Sequence, residues 1–398
     1  MALQQHLHRI LAEAAAEVAG AVFAEGKVLD HELAAVFTRN PKWGKRDRGF
    51  IAETVFEVVR WRRSLAFVAN VPEWDTASLC AAQWRRMGIE LPDWWRHGGA
   101  AVTEMAVREA ALAEQPRAIR ESIPDWLDEL GAGELGSRWD AELHALNQRA
   151  RVYLRVNMLR NSREEAVAWL ASHGVDASPA CGLPEGLVLP EGKTLPKPLR
   201  AEGRVEIQDA GSQRVAPLLG VRPGEIVIDA CAGAGGKTLH LAALLGNRGT
   251  IHALDIEPRK LEELKRRAKT AGVTCIRTGL AQPSNLAALA GQADRLLIDA
   301  PCSGLGTLKR QPDLKWRLSP GQLDRVRRIQ HELLAAYPSM LRPGGVMVYA
   351  TCSLLPSENR GAVEGLLGSG AVALLEEFQI SPSETGCDGF YAAALQVR

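Results

Sequence analysis

The stretch Ile226-Val-Ile-Asp-Ala-Cys-Ala-Gly-Ala-Gly-Gly-Lys-Thr238 joins a short apolar run to a loop of small residues and then to an amphipathic segment. Such a strand, loop and helix form the ligand-binding turn of doubly wound α/β folds, where small side chains let the backbone approach a ligand. The loop ends like a P-loop, but position 231 is Cys where that motif requires glycine. We therefore favour another adenosine-bearing cofactor over a nucleoside triphosphate.

The chain around this loop alternates strand and helix patterns from about residue 206 to residue 398. This alternation predicts a Rossmann-like, doubly wound and mostly parallel sheet, and the terminal stretch 389–397 predicts an antiparallel last strand. The predicted helices are Pro258–Ala271 and Gln322–Met340. The predicted strands are Ile226–Ala230, Thr250–Asp255, Cys275–Arg277, Arg295–Asp299 and Val346–Ala350.

Two further domains are predicted before this one. Residues 1–145 show helical spacing of apolar residues, such as Ile51, Val55 and Val58, and hold most of the ten tryptophans. Residues 146–205 combine a strand pattern with a capping box, Ser162-Arg-Glu-Glu165, and a proline-rich loop. We expect an all-α domain, then a small α/β module, then the catalytic domain at 206–398.

Composition narrows the class of protein. The 398 residues are 46% hydrophobic and carry a net charge of +1, which gives no global signal for nucleic-acid binding. The seven cysteines include no C-x-x-C pair, which argues against a zinc site and for a reducing compartment. No apolar run reaches the roughly 18 residues of a membrane span. We expect a cytoplasmic monomer that uses neither a metal nor a membrane.

The loop alone does not separate dehydrogenases from methyltransferases. Asp255 closes the second strand and suits a ribose hydroxyl pair, although capping the helix at Pro258 is an equally good interpretation. Two strand ends indicate the chemistry more specifically. Cys302 and Cys352 each follow an apolar run, and each precedes a serine. We expect both thiols on the ligand side of the sheet, where an ionised thiol is a strong nucleophile.

These stretches resemble a known family. The sequences Asp299-Ala-Pro-Cys-Ser-Gly-Leu-Gly-Thr307, Gln311-Pro-Asp-Leu-Lys-Trp-Arg317 and Tyr349-Ala-Thr-Cys-Ser-Leu-Leu-Pro-Ser-Glu-Asn359 are similar to signatures of the RsmB/RsmF/NSUN family of RNA cytosine-5 methyltransferases. The resemblance extends to Gln208-Asp-Ala-Gly-Ser-Gln213 and to the terminal Asp388-Gly-Phe-Tyr391. Segments near Leu29 and Lys45 resemble the NusB-like helical domain of the RsmB branch, which modifies 16S rRNA.

The resemblance implies roles for individual residues. Cys352 is then the nucleophile, Cys302 assists product release, and Asp299 contacts the target base. Lys237 supports the thiolate. The implied cofactor is S-adenosylmethionine, bound by Cys231, Ala232, Gly233, Ala234, Gly235, Gly236, Lys237, Asp255, Gly279 and Asp299.

One position departs from the family pattern. The family has an Asp near the adenine after the third strand, whereas this chain has Gly279 there, which predicts an absent, replaced or weaker hydrogen bond to the cofactor.

RNA is the expected partner. Two locally basic segments are candidates for phosphate contacts. Other interpretations stay open at this level, namely the same chemistry on tRNA or another RNA, or a non-catalytic ribosome-assembly factor. The basic residues are Lys42, Lys45, Arg46, Arg48, Arg60, Arg62 and Arg63 in the first segment, and Lys309, Arg310, Lys315, Arg317, Arg325, Arg327 and Arg328 in the second.

Overall fold

A computed structural model describes residues 7–398, and the first six residues of the predicted helical domain lie outside that range. The chain forms two compact units. The first, the helical unit, ends at Gln148 and also contains Leu308–Pro320. The second, the catalytic unit, contains Arg149–Thr307 and Gly321–Arg398. None of the helices between residues 7 and 398 combines the length and apolar character needed to span a membrane.

The helical unit is built on amphipathic helices, as predicted. Ile51, Val55 and Val58 recur on one helix face and are fully buried. Its α-helices are Arg9–Glu25, Leu29–Arg39, Lys45–Arg60, Arg62–Ala69, Thr76–Arg86, Val102–Ala110, Arg117–Arg120, Asp125–Leu135, Trp139–Leu146 and Leu314–Arg317, with 3₁₀ turns at Ala111–Glu114 and Gly136–Arg138.

The segment Leu308–Pro320 lies in the helical unit, whereas the sequence predicts it within the catalytic domain at 206–398. Side-chain hydrogen bonds to helix carbonyls explain this placement. Lys315 Nζ donates to the carbonyl of Arg60 at 2.8 Å, and Trp316 Nε1 donates to that of Val59 at 2.7 Å. The segment is therefore separated in sequence from the helices on which it packs.

The small α/β module opens the catalytic unit. Its sheet is antiparallel with the order β2-β3-β1-β4, made of β1 (Tyr153–Val156), β2 (Ser178–Pro179), β3 (Gly186–Val188) and β4 (Val205–Ile207). The predicted capping box starts its helix, Arg163–Ser172: Ser162 Oγ accepts from the Glu165 N–H at 3.2 Å, and Glu165 Oε2 accepts from the Ser162 N–H at 2.7 Å. Both donors are thereby satisfied.

The main sheet confirms the predicted Rossmann-like fold. Its order is β10-β11-β9-β8-β5-β6-β7, in which β5 to β9 run parallel and β11 is antiparallel to both β9 and β10. Its strands are β5 (Ile226–Asp229), β6 (Thr250–Asp255), β7 (Ile276–Leu280), β8 (Ala293–Asp299), β9 (Leu341–Thr351), β10 (Val372–Ile380) and β11 (Phe390–Val397).

Helices cover both faces of this sheet, so its strands are apolar on both sides. Val227 and Ile228 are fully buried in separate clusters on the two faces. The remaining α-helices of the unit are Lys197–Arg200, Ala210–Gln213, Val215–Leu218, Gly236–Leu244, Pro258–Ala271, Pro283–Ala288, Pro320–Ala336, Arg360–Gly368 and Pro382–Thr385, with 3₁₀ turns at Leu305–Thr307, Tyr337–Met340 and Pro356–Glu358.

Candidate active site

The small-residue loop lies between β5 and the helix Gly236–Leu244 and is folded against the end of β6. The Ala232 N–H donates to the Leu254 carbonyl at 2.8 Å, and the Gly233 N–H donates to Asp255 Oδ2 at 2.8 Å. Arg267 donates to the Ala234 carbonyl at 2.6 Å from the neighbouring helix. These bonds hold the loop open at the carboxyl ends of the parallel strands, where doubly wound folds bind ligands.

Asp255 fits a ribose-binding role. Its second oxygen accepts from the Glu257 N–H at 2.8 Å, so each carboxylate oxygen has one backbone donor. A carboxylate offers about four acceptor positions, which leaves room for a pair of hydroxyl groups. The alternative role as helix cap is not the one observed, because Glu257 is the N-cap residue of Pro258–Ala271.

Gly279 lies in β7 beside β6. A Cβ atom there would stand 3.3 Å from the side chain of Leu254. At the ends of the same two strands, Ile256 and Leu280 expose 77% and 37% of their surface. Sequence reasoning missed these two apolar residues, and the signal was their position, Ile256 directly after β6 and Leu280 as the last residue of β7. Leu280 is the strand partner of Asp255 and Ile256 follows Asp255 in the chain, so exposed apolar side chains adjoin this carboxylate. Such side chains suit contact with a flat ring system.

The two cysteines meet at the ends of β8 and β9. These strands are parallel neighbours with Asp299 opposite Ala350, so the loops that follow them emerge side by side. The Sγ atoms of Cys302 and Cys352 are 3.4 Å apart. The hydrogen bond with Cys352, followed by burial, raises the pKa of the Cys302 thiol. A raised pKa favours the protonated thiol, so Cys302 suits the role of hydrogen-bond donor to the neighbouring sulfur.

A partly buried ion pair joins the cofactor loop to β8. Lys237 Nζ lies 2.6 Å from Asp299 Oδ2 and 5.3 Å from the centre of the Phe390 ring. Burial lowers the pKa of Lys237, but the charge of Asp299 and its hydrogen bond outweigh burial and raise that pKa overall. Lys237 is therefore an ammonium ion. Phe390 belongs to the terminal motif Asp388-Gly-Phe-Tyr391. The sequence predicts a strand there but not the contact of Phe390 with Lys237.

The small module reaches this site through Arg155 in β1. Its guanidinium donates to the Gly236 carbonyl at 2.7 Å and to Gln208 Oε1. Burial lowers the pKa of Arg155 to about 10. Sequence reasoning missed Arg155, because nothing in a short strand pattern indicates a contact with a distant loop. The module therefore helps to hold the start of the helix Gly236–Leu244.

The predicted basic segments are less exposed than their charge suggests. Lys309 and Lys315 are 4% and 1% exposed, and Arg317 Nε pairs with Asp313 at 2.9 Å. In the first segment Arg60 is also buried, whereas Lys42, Lys45 and Arg46 are exposed. The predicted phosphate contacts of Lys309, Lys315 and Arg60 are wrong for this reason. In the part of the chain that the structure describes, no cluster of three His, Cys, Asp or Glu side chains is placed to hold a metal ion.

This fold, with a small-residue loop after β5 and an acidic residue at the end of β6, binds adenosine-bearing cofactors, and the family comparison identifies it as an S-adenosylmethionine-dependent methyltransferase. A family model described as 16S rRNA methyltransferase RsmB/F matches residues 216–396, and one for a ferredoxin-like domain of RsmF/B-like methyltransferases matches residues 123–195. Ribosomal RNA small subunit methyltransferase B of Xanthomonas campestris is 31% identical over 428 residues, covering 96% of each protein. The chain belongs to the RsmB/F family of 16S rRNA methyltransferases.

Other similar proteins agree with this result. Ribosomal RNA small subunit methyltransferase B of Pasteurella multocida is 35% identical over 69% of this chain and 65% of its own length, just under two thirds. The crystal structure of a methyltransferase homolog protein from Pyrococcus horikoshii is 26% identical, with a TM-score of 0.63 over 71% of this chain and 98% of that one. The predicted family, the Rossmann-like fold, the S-adenosylmethionine cofactor and the general class of RNA methyltransferase are confirmed.

Proposed function

We propose that this protein methylates carbon 5 of a cytosine in 16S rRNA through a covalent bond between the base and Cys352. The observation that carries the proposal is the 3.4 Å separation of the Cys302 and Cys352 sulfurs beside the Lys237–Asp299 pair. Transfer to an amine or hydroxyl needs no thiol, because those groups are nucleophiles themselves. Carbon 5 of cytosine becomes one only after a nucleophile has added to the ring.

The thiolate of Cys352 adds to carbon 6, and the electrons of the ring double bond move to carbon 5. S-adenosylmethionine, when bound, supplies a methyl group on a positively charged sulfur. After carbon 5 has taken that methyl group, its proton is lost to water and the electron pair of that C–H bond forms the double bond to carbon 6. In the same elimination the bond from Cys352 to carbon 6 breaks, and its electron pair returns to sulfur. The Cys302 thiol, 3.4 Å away, assists by donating a hydrogen bond to the departing sulfur.

Charges around the thiols support this order of events. The charge of Lys237 interacts with that of Cys352, so a permanent ammonium ion favours the thiolate. Asp299 accepts from Lys237 and has further acceptor positions, with 29% of its side chain exposed. We assign it to the exocyclic amino group of cytosine, which donates where uracil presents an oxygen. The target base must leave its stack to reach these groups.

The chain's own cofactor contacts follow from the loop. Asp255 would hold the ribose hydroxyls, and the backbone from Cys231 to Gly236 would lie against the cofactor. Ile256 and Leu280 would contact the adenine faces where the family's usual Asp is replaced by Gly279. Membership of a 16S rRNA family favours rRNA as the substrate, and we assign the helical unit and the small module to RNA binding.

The test uses S-adenosylmethionine with a labelled methyl group and undermethylated 16S rRNA, 23S rRNA or tRNA. We expect label in 16S rRNA and a new 5-methylcytosine by bisulfite sequencing. Cys352→Ala is expected to abolish transfer. Cys302→Ala is expected to slow release, so that a protein–RNA adduct stable in SDS accumulates. Cys181→Ala, at an exposed position, is the matched control.

Two results would contradict the proposal. Transfer at the full rate by Cys352→Ala would show that another group is the nucleophile. Label in tRNA alone would exclude 16S rRNA as the substrate, and label in no RNA would favour a non-catalytic assembly factor.

A further inference from the structure

One buried carboxylate joins the two cysteine loops beneath the thiols. Each cysteine is followed by a serine, and the hydroxyls of Ser303 and Ser353 lie 3.1 Å apart. Both hydroxyls donate to Glu358 Oε2 at 2.5 Å, and the Ser303 N–H donates to Oε1 at 2.8 Å. Glu358 therefore ties the residue after Cys302 to the residue after Cys352.

This carboxylate is fully buried, and both serines are at most 2% exposed. Gln330 Nε2 donates to Glu358 Oε1 at 3.1 Å and to the Pro301 carbonyl at 2.9 Å, so it holds the residue before Cys302 as well. Burying a carboxylate is unfavourable unless hydrogen bonds replace its water, and bonds to a charged acceptor are the stronger kind. The four donors together therefore define one arrangement of the loops.

The backbone around Glu358 is fixed relative to β9. Tyr349 Oη donates to the Glu358 carbonyl at 2.8 Å, and Asn359 Nδ2 donates to the Ser353 carbonyl at 3.1 Å. The Gly306 N–H also donates to the Cys352 carbonyl at 2.9 Å, which links the loops directly. A change at Glu358 therefore leaves other anchors in place and acts mainly on the separation of the loops.

We propose that Glu358 is a positioning residue that sets the separation of Cys302 and Cys352 and thereby the rate of product release. The inference rests on the proposed function, because it assumes that both thiols act in turn on one base. Catalytic groups must be held within about 0.5 Å of their working geometry. Addition to the ring needs only Cys352, whereas release needs the Cys302 thiol within hydrogen-bonding distance of the Cys352 sulfur. A change at Glu358 that lets the two loops move apart should therefore slow release more than addition.

The test compares Glu358→Gln, Glu358→Asp and wild type. Each Glu358 oxygen accepts from two donors, and the Gln amide nitrogen cannot accept a hydrogen bond, so two of the four donors lose their acceptor. We expect kcat to fall about 10- to 100-fold, the effect expected when hydrogen bonds to a charged acceptor are lost, while KM for RNA stays within about twofold. The SDS-stable adduct should increase in Glu358→Gln, and Glu358→Asp, which keeps the carboxylate, should recover part of the rate. The matched control is Glu364→Gln, an exposed position on the next helix.

The outcomes separate this inference from the proposed function. Wild-type turnover in Glu358→Gln would overturn it, and so would slower turnover without more adduct, since that indicates a merely structural role. If circular dichroism shows that Glu358→Gln does not fold, turnover and adduct are measured instead for Ser303→Ala and Ser353→Ala, with the same expected and contradicting results. Failure of the proposed function looks different, because wild type would then show neither methyl transfer nor a Cys352-dependent adduct.

Discussion

Replacing Gly235 by alanine tests how tightly the cofactor loop is packed. Gly235 has φ of +91°, and an added Cβ would lie 2.7 Å from Cγ of Leu264. Gly233, two residues earlier in the same loop, has φ of +54° and no atom within 4 Å of an added Cβ. The two glycines share a left-handed backbone but differ in the space around them, so they form a matched pair.

The structure sets the expected magnitudes. A left-handed backbone costs a non-glycine residue about 1–2 kcal/mol, which is the whole effect expected for Gly233→Ala. Crowding a packed core adds about 1–3 kcal/mol. Gly235→Ala should therefore lower the free energy of unfolding by about 2–5 kcal/mol. Leu264 is fully buried and cannot move aside cheaply.

Urea denaturation of both variants measures these losses, and calorimetry with S-adenosylmethionine measures cofactor affinity. We expect Gly235→Ala to lose more of both than Gly233→Ala. In a Leu264→Ala background, the extra loss from Gly235→Ala should disappear, because the clashing atoms are gone. Equal losses of unfolding free energy in the two single variants would refute the reasoning.

Two further predictions concern buried carboxylates. Burial raises the pKa of Asp229 to about 7, so the native state keeps a proton that the unfolded state has already released above about pH 4. The free energy of unfolding of wild type relative to Asp229→Asn should therefore fall as the pH rises from about 4 to 7, by roughly 1.4 kcal/mol per pH unit. Urea titrations at several pH values measure this difference, and a difference independent of pH would contradict the prediction. Asp255→Ala should weaken S-adenosylmethionine binding about 10- to 100-fold by calorimetry, since hydrogen bonds to a carboxylate are among the stronger ones, and unchanged affinity would remove Asp255 from the ribose site.

The parallel half of the sheet was predictable from sequence because the residues that start and end its helices and strands lie within those segments or directly beside them. The helix Pro258–Ala271 begins at a proline and ends before a glycine, and its predicted bounds match the observed ones. Strand β10 was missed for an equally local reason. Its middle is exposed and includes Leu374, Leu375 and two glutamates, a pattern that shows no buried face.

The candidate site was predictable where chemistry-bearing residues follow strand ends. Cys302 and Cys352 do meet, because the carboxyl ends of neighbouring parallel strands share one edge. Contacts that depend on distant chain segments were not predictable, such as that of Arg155 with the cofactor loop. Charge was a poor guide to exposure, since Lys315 lies inside the helical unit, where its Nζ donates to the Arg60 carbonyl.

The placement of Leu308–Pro320 has a consequence for biosynthesis. Domains near the amino terminus generally fold first as the chain leaves the ribosome. Here the helices up to Gln148 emerge early, but the segment that carries Lys315 and Trp316 emerges only after most of the catalytic unit has been made. The early helices must therefore wait for their last piece, so the first domain to be translated cannot be completed until Arg149–Thr307 of the catalytic unit has been made.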